Sequence, residues 1–346
     1  MNILYTPFKA GSKTARKYIE DGIIAGFTKN GHRVDIWNGT DADQLEHILE
    51  EKRPDVFYGY VRNQPNYGNA SWITNDCFDV LNTYRKDYGM KVILESHPDI
   101  KPLFYDADIP MSLIEKNQAF YNQPNHGTPP EQKLVDEKFV DIITHIWNDF
   151  TTDFGFTWWR HKDVKVQSFP LAFDTGAYLK RDLPKEIDIS FVGGWWPFKG
   201  EQLDKFVKPL DAEFGEKFQV FGTGWPYKSN GYIDDGAVNR VFNMSKINIC
   251  IHEPTLVQPQ ALHVSERIFK VAGLGGMIIS DNNACIKEYF TEDEVVIVRH
   301  PEQMVEACKY YLEHDEEREA MGKRAMDKVL DIHTYKRRTR ELLNLL

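Results

Sequence analysis

Short apolar runs recur along the chain at Asn2 to Tyr5, Val34 to Trp37, Val56 to Tyr60 and Val92 to Glu95, each separated from the next by a longer helical or charged stretch. The spacing predicts strands alternating with helices, the clearest helices running from about Lys13 to Asn30, where Gly31 ends the pattern, and from Ile73 to Tyr88. Such alternation implies a parallel sheet. Ile142 to Ile146 and Val164 to Phe169 are further strand candidates. After Val92 to Glu95, the region Pro98 to Pro130 is rich in Pro, Asn and Asp and predicts a long irregular excursion at the carboxyl edge of the sheet, the kind of segment that carries substrate. A polar stretch, Asp174 to Glu186, precedes a second series of strands at Ile187 to Val192, Phe218 to Phe221, Ile247 to Ile251, Met277 to Ser280 and Val295 to Val298. Helical patterns at Glu302 to His314, Glu316 to Leu330 and Tyr335 to Leu345 close the chain. No fixed-period repeat or low-complexity tract interrupts this order.

Three phrases in the second half place glycines directly after or before a strand, two of them with cations. They are Ile189 to Gly194 with Lys199-Gly200 close behind, Val220 to Pro226 containing Gly222 and Gly224, and the helix opening near His263 to Ser265 and broken by Gly273, Gly275 and Gly276. Glycine turns and helix N-termini present backbone N–H groups, and Arg267 and Lys270 lie one helical turn apart. That combination suits a diphosphate, with Lys199 and Arg267 to neutralise it. Ordinary turns with surface cations are the competing explanation.

A length of 346 residues fits two domains better than one core. The expected boundaries are 1–172 for an acceptor-side Rossmann-like domain, 173–331 for a donor domain, and 332–346 for a helix crossing back to the first. No apolar run approaches the ~20 residues of a membrane span, and the start MNILYTPFKAG lacks the pattern of a signal peptide, so a cytoplasmic protein is expected. Cys77, Cys250, Cys285 and Cys308 are scattered and read as buried reduced thiols. The net charge of −10 is shared between both halves, so neither is a broadly basic nucleic-acid surface. Local basic clusters do occur, at Lys13, Arg16 and Lys17 and at Trp158 to Lys162, whereas Asp234-Asp235 and Glu316-Glu317 read as solvated.

The phrases FPLAFD (169 to 174), DISFVGGWWPFKGE (188 to 201), VFGTGWP (220 to 226), NMSKINICIHEP (243 to 254), SERIFKVAGLGGMIISDN (265 to 282) and HTYKRRTRELL (333 to 343) resemble, in order, the CgeB-like (spore-maturation protein) group of GT-B glycosyltransferases. The resemblance implies an α/β GT-B fold, two Rossmann-like domains facing each other across a cleft, and transfer of a hexosyl or pentosyl unit from a nucleotide-sugar, most simply a UDP-sugar, to an acceptor hydroxyl. It implies no obligatory metal or other cofactor. Gly193, Gly194 and Lys199 match the loop near the donor phosphates, Arg267 the basic residue of the following helix, Gly275-Gly276 the turn after it, and Asp281 a polar position at the next strand's end. Lys270 departs from the family, which usually carries a Glu bonding the donor ribose there; Glu266 or Glu253 are the candidates to replace it.

Donor-binding candidates are therefore Gly193, Gly194, Lys199, Gly222, Gly224, His252, Glu253, Ser265, Glu266, Arg267, Lys270, Gly275 and Gly276. In the first half, the resemblance makes His97, just after a strand, the first choice for a sugar contact or base, followed by Asp99 and Glu95. Gly11, Ser12, Lys13 and Arg16 are the acceptor-side candidates. The acceptor, a glycan, a protein or modified DNA, is not specified by these residues. A nucleotide-sugar 2-epimerase and a non-catalytic scaffold that binds a nucleotide-sugar are the rival functions.

Overall fold

A computed structural model describes residues 1–7, 15–37, 41–61, 75–96, 134, 136–145, 163–252, 264–283 and 285–346. The chain divides into two compact units, residues 1–170 with 335–346, and residues 171–334.

In the first unit β1 (Asn2–Tyr5), α1 (Ala15–Lys29), β2 (Arg33–Ile36), α2 (Ala42–Lys52), β3 (Val56–Val61), α3 (Asn75–Tyr88), β4 (Lys91–Ser96), β5 (Ile142–His145) and β6 (Lys165–Ser168) follow one another. The described strands pair in parallel in the order β2-β1-β3-β4-β5-β6. β2 begins one residue before its apolar run, because pairing places Arg33 opposite Asn2 and so fixes the register. Asp41 starts α2 by accepting hydrogen bonds from the N–H groups of Asp43 and Gln44, a cap in a segment where the apolar pattern alone marks no helix. Leu4, Phe57, Val92, Leu94 and Ile143 of the sheet meet Leu45, Leu49, Phe78 and Leu81 of α2 and α3 in one core.

The second unit contains β7 (Ile187–Val192), α4 (Pro197–Phe214), β8 (Phe218–Phe221), α5 (Asp235–Met244), β9 (Ser245–Cys250), α6 (Glu266–Gly273), β10 (Met277–Asp281), α7 (Ile286–Tyr289), β11 (Val296–Val298), α8 (Pro301–Glu313) and α9 (Asp315–Ile332). Its strands are also parallel, in the order β11-β10-β9-β7-β8. Ile189, Phe191, Ile247, Ile249, Met277 and Ile279 pack against Leu203, Val207 and Leu210 of α4 and Met304 and Cys308 of α8. Lys199 and Gly200 lie inside the first turn of α4, which Pro197 opens, rather than in a loop after β7. Asp234 is exposed, as expected, and it also caps α5 by accepting from the Ala237 N–H. Asp235 accepts the Tyr178 hydroxyl at 2.8 Å.

The second unit begins at Leu171 and ends at Thr334. The reason is local: the Phe173 N–H donates to His333 O at 2.9 Å, Phe173 and Thr334 form a parallel bridge, and Leu171 and Ala172 are already buried. The chain then returns to the first unit as α10 (Tyr335–Leu343), which packs on α1. All four cysteines are buried and none is in a disulfide. Among the described residues no helix is long and apolar enough to cross a membrane.

Candidate functional site

From β7 the chain goes to β8 on one side and then returns to β9 on the other. The connections leaving the carboxyl ends of β7 and β9 therefore diverge, which opens a crevice at this switch point of a parallel sheet. Arg267, in the first turn of α6, bridges it. Its Nε donates to Val192 O at 2.6 Å, its Nη1 donates to Ile251 O at 3.2 Å, and its guanidinium carbon lies 4.6 Å from the Phe191 ring centroid. A planar, permanently charged fork is thus fixed across the two strand ends. Ser265 caps the same helix end, its Oγ accepting the Arg267 N–H at 3.2 Å.

The glycines around Arg267 have separate reasons to be glycine. The loops after β7 and β8 continue the parallel pairing, Gly193 N–H donating to Phe221 O and Trp195 N–H to Thr223 O. A Cβ on Gly222 would stand 2.2 Å from Gly193 O, and one on Gly224 2.2 Å from Trp195 O; both residues also have positive φ, 139° and 81°. Gly222 and Gly224 therefore close one loop against the other. Gly193 makes room for the guanidinium, since its Cβ would lie 2.6 Å from Arg267 Nη2, and Gly194 is confined more loosely by Trp196 and Thr223. Gly275 and Gly276 are not brought to this place. They precede β10, whose first residue pairs with Ile247, so they lie at the amino edge, with five residues of strand, or about 16 Å, in between. There they serve packing: a Cβ on Gly322 of α9 would be 2.4 Å from Gly275 O.

His252, just past β9, is 3% exposed, and its Nδ1 is 2.7 Å from Asp281 Oδ1 at the end of β10. The His252 backbone N–H donates to both Asp281 oxygens, at 3.1 and 3.2 Å, and Gln202 Nε2 donates to Oδ2 at 3.4 Å. Burial pushes the neighbouring Cys250 thiol up to about 12, against the pull of Arg267, so this sulfur stays protonated. Lys270, predicted beside Arg267, is paired with Glu266 at 3.1 Å, with its Nζ 4.7 Å from the Tyr178 ring centroid. Burial raises the Glu266 carboxyl above its ordinary range while Lys270 opposes the shift.

Glu95, at the end of β4, is buried, and its register neighbours are Tyr60 and Thr144. Tyr60 shares a 2.8 Å hydrogen bond with Tyr5. Thr144 and His145 are fully buried at the same edge, polar positions that the sequence reading passed over because they sit inside an apolar run. Lys17 pairs with Asp21 along α1. His97, Asp99, Glu253, Gly11, Ser12, Lys13 and the cluster 158–162 lie outside the described residues, as do the side chains of Arg16 and Lys199. Among the described residues no group of three or more His, Cys, Asp or Glu side chains is arranged to hold a metal ion.

Residues 201–344 match a family model described as "Glycosyl transferase-like". No curated protein matches the chain. Among solved structures, HepE of Anabaena in complex with UDP and glucose aligns at TM-score 0.59 and 8% identity, over 99% of this chain and 98% of that one. T4 phage BGT in complex with its UDP-glucose substrate aligns at 0.59 and 12%, over 100% and 99%. The chain has the GT-B fold. Sucrose-phosphate synthase of Thermosynechococcus elongatus aligns at TM-score 0.55 and 12% identity, over 100% of this chain and 98% of that one. In this GT-B chain the family match covers the Arg267 helix and the His252–Asp281 pair.

Proposed function

We propose that the chain is a cytoplasmic glycosyltransferase of the CgeB-like kind, which moves a hexosyl or pentosyl unit from a UDP-sugar to an acceptor hydroxyl. The observation that carries this reading is Arg267, held across the carboxyl ends of β7 and β9 at the switch point of the second sheet. A diphosphate in that crevice meets a fixed guanidinium and the N-terminus of α6. As the bond to the sugar breaks, negative charge grows on the departing diphosphate. A preorganised cation and helix end stabilise it more in the transition state than in the ground state. On this account no metal is needed. The aligned HepE and BGT structures were solved with UDP and with UDP-glucose, which supports the choice of a uridine nucleotide.

The first unit supplies the acceptor side. Glu95, His97 and Asp99 follow one another at and after the end of β4, and one of them takes the acceptor proton if the anomeric centre inverts. Gly11, Ser12, Lys13 and Arg16, which follow β1 in the sequence, are the acceptor-side candidates. A thermal-shift panel of UDP-, GDP-, ADP-, CMP- and TDP-sugars tests the reading, followed by assay of released nucleotide. Stabilisation by UDP-sugars that Arg267→Ala abolishes is the expected result. No stabilisation by any of them would remove the donor-site assignment.

A further inference from the structure

Besides the imidazole, the donors to Asp281 include the His252 backbone N–H, which reaches both oxygens, the Gln202 amide and the Ser280 hydroxyl, and a carboxylate in that position has no proton to give. The proton between it and His252 therefore sits on Nδ1. That leaves Nε2 as a bare lone pair, buried and without a partner among the described residues. An acceptor atom in that condition is costly unless a ligand supplies the donor. Its surroundings select the ligand group. Arg267 donates to the carbonyl of Ile251, the residue before His252, so a cation for the diphosphate is already present. The His252–Asp281 pair carries net negative charge when Nε2 is unprotonated, which disfavours a phosphate oxygen against it and favours a hydroxyl.

Resting on the donor reading above, we infer that His252 Nε2 accepts a hydrogen bond from a hydroxyl of the transferred sugar, and that Asp281 is the positioning residue that fixes the ring and its tautomer. The surrounding polar groups are Asp281 and Ser280 from β10, Gln202 from α4 and Arg267 from α6. Among the described residues the imidazole is held on the Nδ1 side only, so its Nε2 side is the one offered to a substrate.

The test is long-range proton–nitrogen NMR on the full chain labelled at histidine, with His252→Asn to assign the signal. The free protein is expected to show His252 protonated at Nδ1. The nucleotide-sugar chosen by the thermal panel is then compared with its nucleoside diphosphate alone; the Nε2 signal is expected to move with the first and not the second. Equal movement with both overturns the sugar assignment, and binding with no movement overturns the contact altogether. If no panel member binds, the donor reading itself fails and takes this inference with it. In turnover, Asp281→Asn is expected to lower the rate about 10- to 100-fold and Asp281→Glu to restore part of it, as for carboxylates that orient a working imidazole. An Asp281→Asn enzyme with native turnover and an unchanged tautomer would overturn the positioning role.

Discussion

Arg267 and its glycine neighbours impose opposite demands on the same few cubic ångströms. The guanidinium is useful to an anion only while it lies against the carbonyls of Val192 and Ile251, and it can lie there only because Gly193 has no Cβ. Arg267→Lys keeps the charge but cannot bridge both carbonyls, so it is expected to weaken nucleotide-sugar binding by about 10-fold or more, the scale of one charge-assisted hydrogen bond, measured by calorimetry. Gly222→Ala tests the other role. With φ at 139° and backbone 2.2 Å from the new Cβ, it is expected to cost about 1–3 kcal/mol from backbone strain alone, before the clash is counted. For a unit of this size each kcal/mol lowers the melting temperature by about 2–4 °C. Calorimetry showing an unchanged transition would mean that the two loops do not hold each other.

At the scale of elements, the sequence was most legible where a period and a terminator agreed. The strands Ile187–Val192 and Phe218–Phe221 coincide with their apolar runs because both belong to a parallel sheet whose strands bury their side chains against helices. α4 and α5 were hidden, the first because its start, WWPFKG, reads as a glycine turn, the second because its capping Asp234 reads as surface charge. Periodicity also placed Arg267 and Lys270 on one helix without revealing that Lys270 turns to Glu266 and the Tyr178 ring; partner choice depends on residues nearly a hundred positions away. That buried pair carries its own expectation. Lys270→Met strands the Glu266 carboxyl and is expected to cost about 3–5 kcal/mol, whereas Glu266→Leu with Lys270→Met is expected to be near neutral. Because the folded state raises the Glu266 carboxyl, it holds that proton more tightly than the unfolded chain. Native stability therefore falls as pH rises from the ordinary carboxylate range to the raised value, and the double variant should lose that slope in urea titrations. Retained donor affinity in the double variant would assign the pair to structure.

For the whole molecule, the consequential contact is between the two ends of the chain. α10 lies on α1 because Gly22 and Gly26 present a bare backbone surface: a Cβ at Gly22 would stand 2.4 Å from the Tyr335 ring, and one at Gly26 2.6 Å from Tyr335 O. Asn30 then fixes the register, its amide donating to Lys336 O at 2.7 Å and to Thr339 Oγ1 at 3.0 Å. The first unit is thus completed by residues made only after the whole second unit, across a sequence separation that closes slowly. A substitution on this surface should act on the first unit alone, since the donor-side residues belong to the second. Gly26→Val cannot be relieved by a side-chain rotation, because the atom it meets is backbone, and overpacking of this kind costs about 1–3 kcal/mol. The expected result is a lower urea midpoint for exchange protection of β1 and β3, with protection of β7 and β9 and nucleotide-sugar affinity unchanged. Loss of protection in both sheets together would show instead that the two units unfold as one, and that the return of α10 couples their stabilities.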